Sequence, residues 1–342
     1  MHHHIMQLTL ELQQKEEEKK LPDHEEEDSC HDEGIFEVQE NDPGLHRDEV
    51  SVSTPQLYPD SPLKRPVPKP RKFAQKGVLK RTALKIEKAD IDFGDLLGEG
   101  GGGTVFNGTW KSKGLPVAIK KVQLALDHCD AKILAELGEH PNIIRFFGFV
   151  HEHPDTIIVT ALAKNGSLYQ YLHKDLKVPT LEQSLKWARQ ISYGMAHIHK
   201  LGIAHRDLKS SNILFTDDME VQICDFGLSR SIPNTTAISK MAGTWRWMAP
   251  EVALGKKINM MCDVFSFSMV VWEVMEHKVP FYNETDIVAS MQIIQGKRPG
   301  FTFEWPGYLA KITNDGWSEN PYRRPTFFDI ITSLENKMDF RH

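Results

Sequence analysis

Two aspartates and an asparagine near the middle of the chain have the types and spacing needed to accept a proton and bind a divalent cation. The segment His205-Arg-Asp-Leu-Lys-Ser-Ser-Asn212 places Asp207 five residues before Asn212, and Asp225-Phe-Gly227 begins 18 residues after Asp207. A positioned carboxylate can take the proton of a reacting hydroxyl group, and carboxylate and amide oxygens suit Mg²⁺. These segments therefore predict a site that holds a cation beside a hydroxyl group.

A glycine-rich segment followed by a lysine indicates phosphate binding. The run Gly98-Glu-Gly-Gly-Gly-Gly-Thr-Val105 precedes Val117-Ala-Ile-Lys120, so Lys120 lies 17 residues after Gly103. Glycines let the backbone approach phosphates closely, and a lysine at the end of the next strand can bind nucleotide phosphates. A glycine turn alone is more often an ordinary loop, but the pair is much more specific. The run does not continue into Lys-Ser or Lys-Thr, which excludes a Walker-type loop.

Strand and helix patterns around these residues predict two lobes. Residues 117–122 and 157–160 are β-branched runs typical of strands. Residues 180–201 form the clearest helical pattern, with a capping box at Thr180, apolar residues at steps of three and four, and Gly202 as the stop signal. Because the strand patterns come first and the helical patterns later, we expect a small sheet-rich lobe followed by a larger helical lobe.

The first 88 residues differ in composition from the rest of the chain. Residues 15–49 contain 15 acidic side chains against 4 basic ones, whereas residues 64–88 contain 10 basic side chains against one acidic one. This part has many prolines and few aromatic residues, so it cannot bury enough apolar surface to offset its ordering entropy. We predict a disordered acidic, then basic and proline-rich tail over 1–88, and a folded domain over 89–338.

The overall composition excludes several classes of protein. With 342 residues, 40% hydrophobic and 26% charged, the chain is typical of globular proteins. No apolar run reaches the ~18 residues of a transmembrane helix, and the N-terminus lacks the pattern of a secretory signal. The 4 cysteines are widely separated, which favours reduced thiols in a cytoplasmic protein. A net charge of −6 argues against nucleic-acid binding.

Taken together, the motifs resemble the eukaryotic protein kinases in order and spacing, from about Ile91 to Leu334. Residues 243–251 and 140–144 are similar to the tyrosine kinase-like branch of serine/threonine kinases, and within it to the mixed-lineage kinases. Those enzymes act as mitogen-activated protein kinase kinase kinases. The resemblance implies an α+β, bilobal protein kinase fold, with a small antiparallel β-sheet lobe over about 89–160 and a larger helical lobe over about 164–338.

The resemblance also implies a role for individual positions. Asp207 would orient the substrate hydroxyl and accept its proton, and Lys209 would steady the γ-phosphate, as in serine/threonine kinases. Asn212 and Asp225 would bind Mg²⁺, and Lys120 would contact the α- and β-phosphates of ATP. The remaining ATP-binding positions would be Gly98, Glu99, Gly100, Gly103, Val105, Ala118, Thr160, Leu162 and Leu214.

One departure from the family pattern leaves alternatives open. The acidic partner of Lys120 would be Asp130 by its position, with Glu136 one turn later as the rival. Asp130 is shorter than the usual Glu, so a pseudokinase or scaffold that binds nucleotide without efficient transfer is the alternative to an active kinase. Arg206 beside Asp207 implies activation by phosphorylation of nearby residues. The positions considered for it are Ser229, Ser231, Thr235, Thr236 and Ser239.

Partners are predicted from the same resemblance and from the tail. The substrates would be proteins, with mitogen-activated protein kinase kinases as the family suggests. Residues 59–64 fit a polyproline ligand of SH3 domains, and residues 80–86 resemble a docking motif for mitogen-activated kinases. No transmembrane segment and no nucleic-acid partner are expected. An ion pair between Glu251 and Arg324 is predicted inside the large lobe.

Overall fold

Five antiparallel strands form the first part of the fold in the computed structural model. They are β1 (Ile91–Gly100), β2 (Gly103–Trp110), β3 (Leu115–Gln123), β4 (Phe146–Glu152) and β5 (Asp155–Ala161). Their order in the sheet is β1-β2-β3-β5-β4. The structure describes residues 85–100, 103–123, 128–152, 155–226, 230–231 and 244–336, with backbone alone for 123, 128–132, 151–152 and 230–231.

Alternation along the central strands separates a buried face of the sheet from the face that carries the site. Val117, Ile119 and Val159 are fully buried in the apolar cluster of the small lobe. Successive side chains of a strand point to opposite faces. The residues between them, Ala118 and Lys120, therefore lie on the other face of the sheet.

A short segment before β1 also belongs to this lobe. The backbone N–H of Ile86 donates to the Phe149 carbonyl at 2.8 Å, and Lys85 forms a parallel bridge with Phe149. The Ile86 side chain is 3% exposed and joins the apolar cluster that contains Val117. Strand β4 is at the edge of the sheet, where its backbone groups can pair with a further segment. The sequence predicts that the folded domain starts at residue 89, but in the structure the sheet lobe already includes Lys85 and Ile86.

Helix α1 (His128–Leu137) lies between β3 and β4 in the chain. Its residues Ile133 and Leu134 are buried in the main apolar core together with Ile158 of β5. Ile158 is paired with Lys120 in the strand register, and paired residues share one face of a sheet. Helix α1 therefore shares its core with the sheet face that carries Lys120.

The second part of the described chain is mainly helical. Short strands β6 (Ile203–Ala204) and β9 (Arg230–Ser231) pair with each other, as do β7 (Ile213–Phe215) and β8 (Val221–Ile223). The predicted α+β fold with a sheet lobe and a helical lobe is confirmed. The helices are α2 (Leu181–Lys200), α3 (Pro250–Ala253), α4 (Met261–Glu276), α5 (Asp286–Ile294), α6 (Gly307–Gly316) and α7 (Phe327–Glu335).

Helix α2 begins and ends where its sequence signals predict. The Thr180 hydroxyl accepts from the backbone N–H of Gln183, and the Gln183 side chain accepts from the backbone N–H of Thr180. This capping box satisfies backbone donors that the first turn leaves unpaired. Gly202, just after the helix, has a φ of 76°, a left-handed conformation that glycine adopts without strain. Helix α2 leads directly into β6 and the segment that carries Asp207.

Helix α4 is buried along almost its whole length. Every residue from Cys262 to Glu276 is buried, including Asp263, Ser266 and Glu273. Buried polar side chains are almost always hydrogen-bonded, and these three bond to the segments that surround the helix. Among the described helices, α4 included, none is long and apolar enough to cross a membrane.

The predicted ion pair between Glu251 and Arg324 is confirmed. The two guanidinium nitrogens of Arg324 donate to the two carboxylate oxygens of Glu251 at 2.6 and 2.9 Å. Arg324 also donates to the carbonyls of Ser318 and Met261, both at 2.9 Å. The guanidinium is fully buried and the carboxylate nearly so. Four hydrogen bonds thus join α3, the start of α4 and the segment before α7.

We predict that Arg324→Met lowers the free energy of unfolding of the full chain by about 3–5 kcal/mol. The substitution leaves the buried Glu251 carboxylate without its cation, the usual cost of breaking a buried pair from one side. Denaturant unfolding measures the change. Lys311→Met is the control, because the Lys311–Asp315 pair of 2.7 Å lies on an exposed surface and should cost less than about 1 kcal/mol. Equal losses in both variants would contradict the prediction.

Candidate active site

A ring of three side chains fixes the carboxylate of Asp207. Asp207 lies between β6 and β7 and is 7% exposed. The Thr244 hydroxyl donates to Asp207 Oδ1 at 2.8 Å, and the Lys209 ammonium lies 3.2 Å from Asp207 Oδ2. Lys209 Nζ also donates to Thr244 Oγ1 at 2.8 Å. Each member of the ring contacts the other two. The direction of the Asp207 carboxylate is therefore set both by Lys209, which is close to it in the chain, and by Thr244, which is distant in the chain.

Asn212 completes the surroundings of Asp207. Its Nδ2 donates to the backbone carbonyl of Asp207 at 2.8 Å and to Asp207 Oδ2 at 2.9 Å. An amide nitrogen has two hydrogens, so these bonds use both and fix the orientation of the amide. The amide oxygen is then the atom that Asn212 can present to a cation. The Asn212 carbonyl accepts from the backbone N–H of Cys224 at 2.9 Å, which ties the segment to the residue before Asp225.

Lys120 and Asp225 connect the sheet lobe to this segment. Lys120 Nζ donates to Asp225 Oδ1 at 2.6 Å, and the two side chains are 17% and 31% exposed. Asp225 has a φ of 62°, a left-handed conformation uncommon outside glycine and typical of strained functional positions. The next residue, Phe226, is buried, with its ring centroid 4.9 Å from that of His205. The position of Asp225 is therefore set by Phe226 on one side and Lys120 on the other.

The strand register gathers the small-lobe residues of the predicted ATP site. Gly98 of β1 pairs with Val105 of β2, and Val105 pairs with Lys120 of β3. Ala118, two residues before Lys120, pairs with Thr160 of β5. Paired residues share a face, as do residues two apart in one strand. Val105, Ala118, Lys120 and Thr160 therefore lie on the same face of the sheet.

Among the described glycines of the loop, Gly103 is the one at which the backbone requires glycine. It has a φ of 117°, and a Cβ atom there would come within 2.3 Å of the Lys121 carbonyl oxygen. Gly103 pairs with Gly100 across the β1–β2 hairpin. Glu99, the residue before Gly100, is exposed. The tip of the hairpin, residues 101–102, lies outside the described residues.

The two leucines of the predicted adenine site lie on either side of the lobe boundary. Leu162 follows β5, and Leu214 is in β7; both are half-buried. Leu214 forms an antiparallel bridge with Ser167, a few residues beyond Leu162. The bridge brings β7 to the segment that connects the two lobes. The adenine-binding roles of Leu162 and Leu214 stay predictions.

Helix α4 fixes the start of the Asp207 segment through Asp263. The backbone N–H groups of His205 and Arg206 donate to the Asp263 carboxylate at 2.9 and 2.8 Å, and the His199 Nε2 atom lies 2.8 Å from it. Burial by itself raises the pKa of Asp263, but the hydrogen bond from His199 and the neighbouring donors outweigh it and hold the pKa below its usual range. Arg206 has a φ of 67°, so this anchored backbone is also strained.

Cys224, directly before Asp225, behaves as a packing residue. Burial raises the pKa of its thiol, and the negative charge of Asp225 raises it further. The thiolate is the reactive form of cysteine, so a raised pKa keeps the side chain unreactive near neutral pH. Cys262 has a raised pKa for the same two reasons, burial and the neighbouring Asp263 carboxylate. Neither thiol has the character of a redox switch.

The acidic partner of Lys120 proposed for α1 stays a prediction. Asp130 lies in the first turn of α1, but its side chain is outside the described part of the chain. Glu136, the rival, is exposed. Several other predicted features also lie outside the described residues or side chains: the SH3 ligand at 59–64, most of the docking motif at 80–86, and the positions Ser229, Ser231, Thr235, Thr236 and Ser239.

The sequence does not reveal every residue that supports the site. Ser210 and Glu273 are hydrogen-bonded to each other at 2.6 Å, 63 positions apart in the chain. Glu273 is the one charged residue in the mainly apolar run 264–275, and that charge is the available signal. A charged residue in an apolar helix indicates a buried polar contact, but it does not name the partner.

The fold and the site define a protein kinase domain. A family model described as "Protein tyrosine and serine/threonine kinase" matches residues 91–334. The chain belongs to this family, as its motifs predict, and its relatives support the tyrosine kinase-like branch.

Curated relatives carry the same class of name. The chain is 32% identical over 257 residues to "Serine/threonine-protein kinase STY46" of Arabidopsis thaliana, covering 73% of this chain and 45% of that protein. It is 31% identical over 275 residues to "Serine/threonine/tyrosine-protein kinase HT1" of the same plant, covering 77% and 70%. A probable serine/threonine-protein kinase of Dictyostelium discoideum is 31% identical over 261 residues, covering 73% and 28%. The chain thus spans less than half of two of these three relatives.

Proposed function

We propose that this chain is a protein serine/threonine kinase that transfers the γ-phosphoryl group of ATP, with Mg²⁺, to hydroxyl groups of protein substrates. The observation that carries the proposal is the ring formed by Asp207, Lys209 and Thr244, which the amide of Asn212 completes. Such a ring presents a fixed carboxylate and an ammonium group at one place. Phosphoryl transfer depends chiefly on positioning and on electrostatic stabilisation, and this arrangement supplies both.

Asp207 is the proposed proton acceptor. Oδ1 accepts from Thr244 and Oδ2 accepts from Asn212. A carboxylate oxygen can accept more than one hydrogen bond, so these contacts orient the group and still allow it to accept from a substrate hydroxyl. Lys209, at 3.2 Å from Oδ2, adds a positive charge that stabilises negative charge on the transferred group. A lysine at this position and the names of the relatives both support serine and threonine as acceptors.

The donor set of Asn212 and Asp225 fits Mg²⁺. Asn212 supplies an amide oxygen whose orientation is fixed by Asp207, and Asp225 supplies a carboxylate. Hard cations such as Mg²⁺ prefer oxygen ligands of these two kinds. When bound, Mg²⁺ neutralises negative charge on the phosphates. Lys120 is proposed to contact the phosphates from the sheet face that it shares with Val105 and Ala118, and to orient Asp225 through their contact of 2.6 Å.

The proposed place of the enzyme is upstream in a mitogen-activated kinase cascade in the cytoplasm. Its support is the similarity of residues 140–144 and 243–251 to the mixed-lineage kinases. The proposed substrates are mitogen-activated protein kinase kinases, and activity is proposed to rise when residues between 229 and 239 are phosphorylated. Phosphorylation of a panel of such kinases in their activation loops tests the placement. Modification of unrelated proteins alone would contradict it.

The test of the proposed function is transfer of labelled γ-phosphate from ATP to a generic protein substrate. Identification of the modified residues should show phosphoserine and phosphothreonine, and transfer should stop when Mg²⁺ is removed by a chelator. Lys120→Met is the matched inactive variant, because it removes the ammonium group and keeps an unbranched side chain of nearly the same length. Absence of transfer, even after treatment with an upstream kinase, would favour the scaffold alternative. Phosphotyrosine alone would overturn the serine/threonine assignment.

A further inference from the structure

A buried carboxylate in α4 contacts three separate segments around the Asp207 site. Glu273 is fully buried. Its Oε1 atom accepts from the Ser210 hydroxyl at 2.6 Å and lies 2.8 Å from Nε2 of His173. Its Oε2 atom accepts from the indole N–H of Trp247 at 2.7 Å. An ionised carboxylate only accepts hydrogen bonds, so Nε2 of His173 carries a hydrogen in this contact.

Two of these partners belong to the segments that hold Asp207. Ser210 lies between Asp207 and Asn212, and it begins the helical turn that ends at Asn212. Trp247 follows Thr244, and its backbone N–H donates to the Thr244 carbonyl at 3.1 Å. The ring around Asp207 closes only when Thr244 and Asp207 are at the correct separation. The Glu273 carboxylate therefore joins the two segments through side chains of buried residues, Ser210 and Trp247.

We infer that Glu273 is a positioning residue that sets the separation between the Asp207 segment, residues 205–212, and the Thr244 segment, residues 244–249. It acts through Ser210 and Trp247. Helix α4 provides the rigid support, because Ser266 of the same helix is buried and donates to the Trp247 carbonyl at 2.7 Å. This role is distinct from that of Asp263, which holds the backbone at the start of the first segment alone.

The same helix offers a matched control. Glu276 is also buried and accepts from Trp305 Nε1 at 2.9 Å, from the backbone N–H of Thr302 at 3.0 Å and from the Thr302 hydroxyl. It therefore has a comparable set of donors, including one indole. Those donors belong to residues 302–305, which contribute nothing to the ring around Asp207. Substitutions at Glu273 and Glu276 should cost similar stability but disturb different segments.

Hydrogen exchange of the full chain tests the inference without requiring catalysis. Glu273→Met removes the acceptors and keeps an unbranched side chain of similar size. We expect amides in 205–212 and 244–249 to exchange at least about tenfold faster in this variant. Glu276→Met should instead accelerate exchange in 300–306. Unchanged exchange in 205–212, or the same pattern in both variants, would overturn the inference.

The kinetic arm rests on the proposed function and adds a readout that a purely structural role would not change. With activity corrected for the folded fraction, Glu273→Met should lower kcat about ten- to hundredfold, the effect of one hydrogen bond to a charged group. KM for ATP should change less than about twofold, since the small lobe is untouched. Glu276→Met should keep kcat. Wild-type protein without transfer would refute the proposed function, and the exchange data would still decide this inference.

Conservative variants keep the test decisive if Glu273→Met does not fold. Glu273→Gln can accept from Trp247 with its oxygen and donate to the Ser210 hydroxyl with its nitrogen, so kcat should recover to within about tenfold of wild type. Trp247→Phe removes one donor and keeps an aromatic ring, and Trp305→Phe does the same to the control carboxylate. A fall in kcat for Trp247→Phe but not for Trp305→Phe supports the inference. Equal effects overturn it.

Discussion

Asp207→Asn should lower kcat for phosphate transfer by about 10²–10⁴-fold, the usual contribution of a positioned general base. The substitution keeps the size of the side chain but removes its negative charge and its basicity. One amide oxygen can still accept from Thr244, but the new amide nitrogen then faces the amide hydrogens of Asn212 and the ammonium group of Lys209. The variant loses the proton acceptor and repels two of its neighbours.

Steady-state kinetics with saturating ATP measure this effect. KM for ATP should change little, because the sheet face that carries Lys120 and Val105 is not altered. Asp315→Asn is the matched control: Asp315 pairs with Lys311 on an exposed surface of α6, so the same chemical change there should leave kcat as it is. A kcat of Asp207→Asn within tenfold of wild type would show that Asp207 is not the proton acceptor.

Local signals in the sequence predict much of this molecule. The capping box at Thr180 depends only on residues within one turn, and it begins α2 as expected. The glycine run leads into β2, and Lys120 lies in β3, the next strand of the sheet. Because β2 and β3 are adjacent in the chain and antiparallel, their spacing nearly determines the pairing of Val105 with Lys120. In each case the interacting residues are close in the chain. Their geometry therefore follows from short-range rules.

Contacts between distant segments account for what the sequence could not predict. Thr244 and Asp207 are 37 positions apart, and no local pattern states that one hydroxyl bridges that aspartate and Lys209. Ile86 follows a basic stretch with no apolar periodicity, but its burial depends on the open edge of β4. Glu273 interrupts an apolar run, and its three partners become visible only when the helices pack. The family resemblance supplied the roles of Asp207 and Lys209, but it supplied no role for Glu273.

Asp225→Ala should reduce transfer by about 10³-fold or more, because it removes both the carboxylate proposed to bind Mg²⁺ and the partner of Lys120 at 2.6 Å. Thermal unfolding with nucleotide separates the two roles. A ligand at 100 times its Kd stabilises the folded state by about 2.7 kcal/mol, which raises Tm by roughly 5–10 °C in a domain of this size. Wild-type protein should gain more from ATP with Mg²⁺ than from ATP with a chelator.

Asp225→Ala and Lys120→Met should change the nucleotide-induced rise in Tm differently, and the difference tests whether Asp225 binds the cation. Asp225→Ala should lose the Mg²⁺-dependent part of the shift and keep the part seen with chelator, since the sheet face with Val105 and Ala118, which is proposed to bind the nucleotide, is not altered. Lys120→Met should lose most of the shift in both conditions, because its ammonium group is proposed to contact the phosphates directly. If Asp225→Ala retained the Mg²⁺-dependent shift, Asp225 would serve only to orient Lys120. The strained φ of 62° would then reflect packing of Phe226 rather than a metal site.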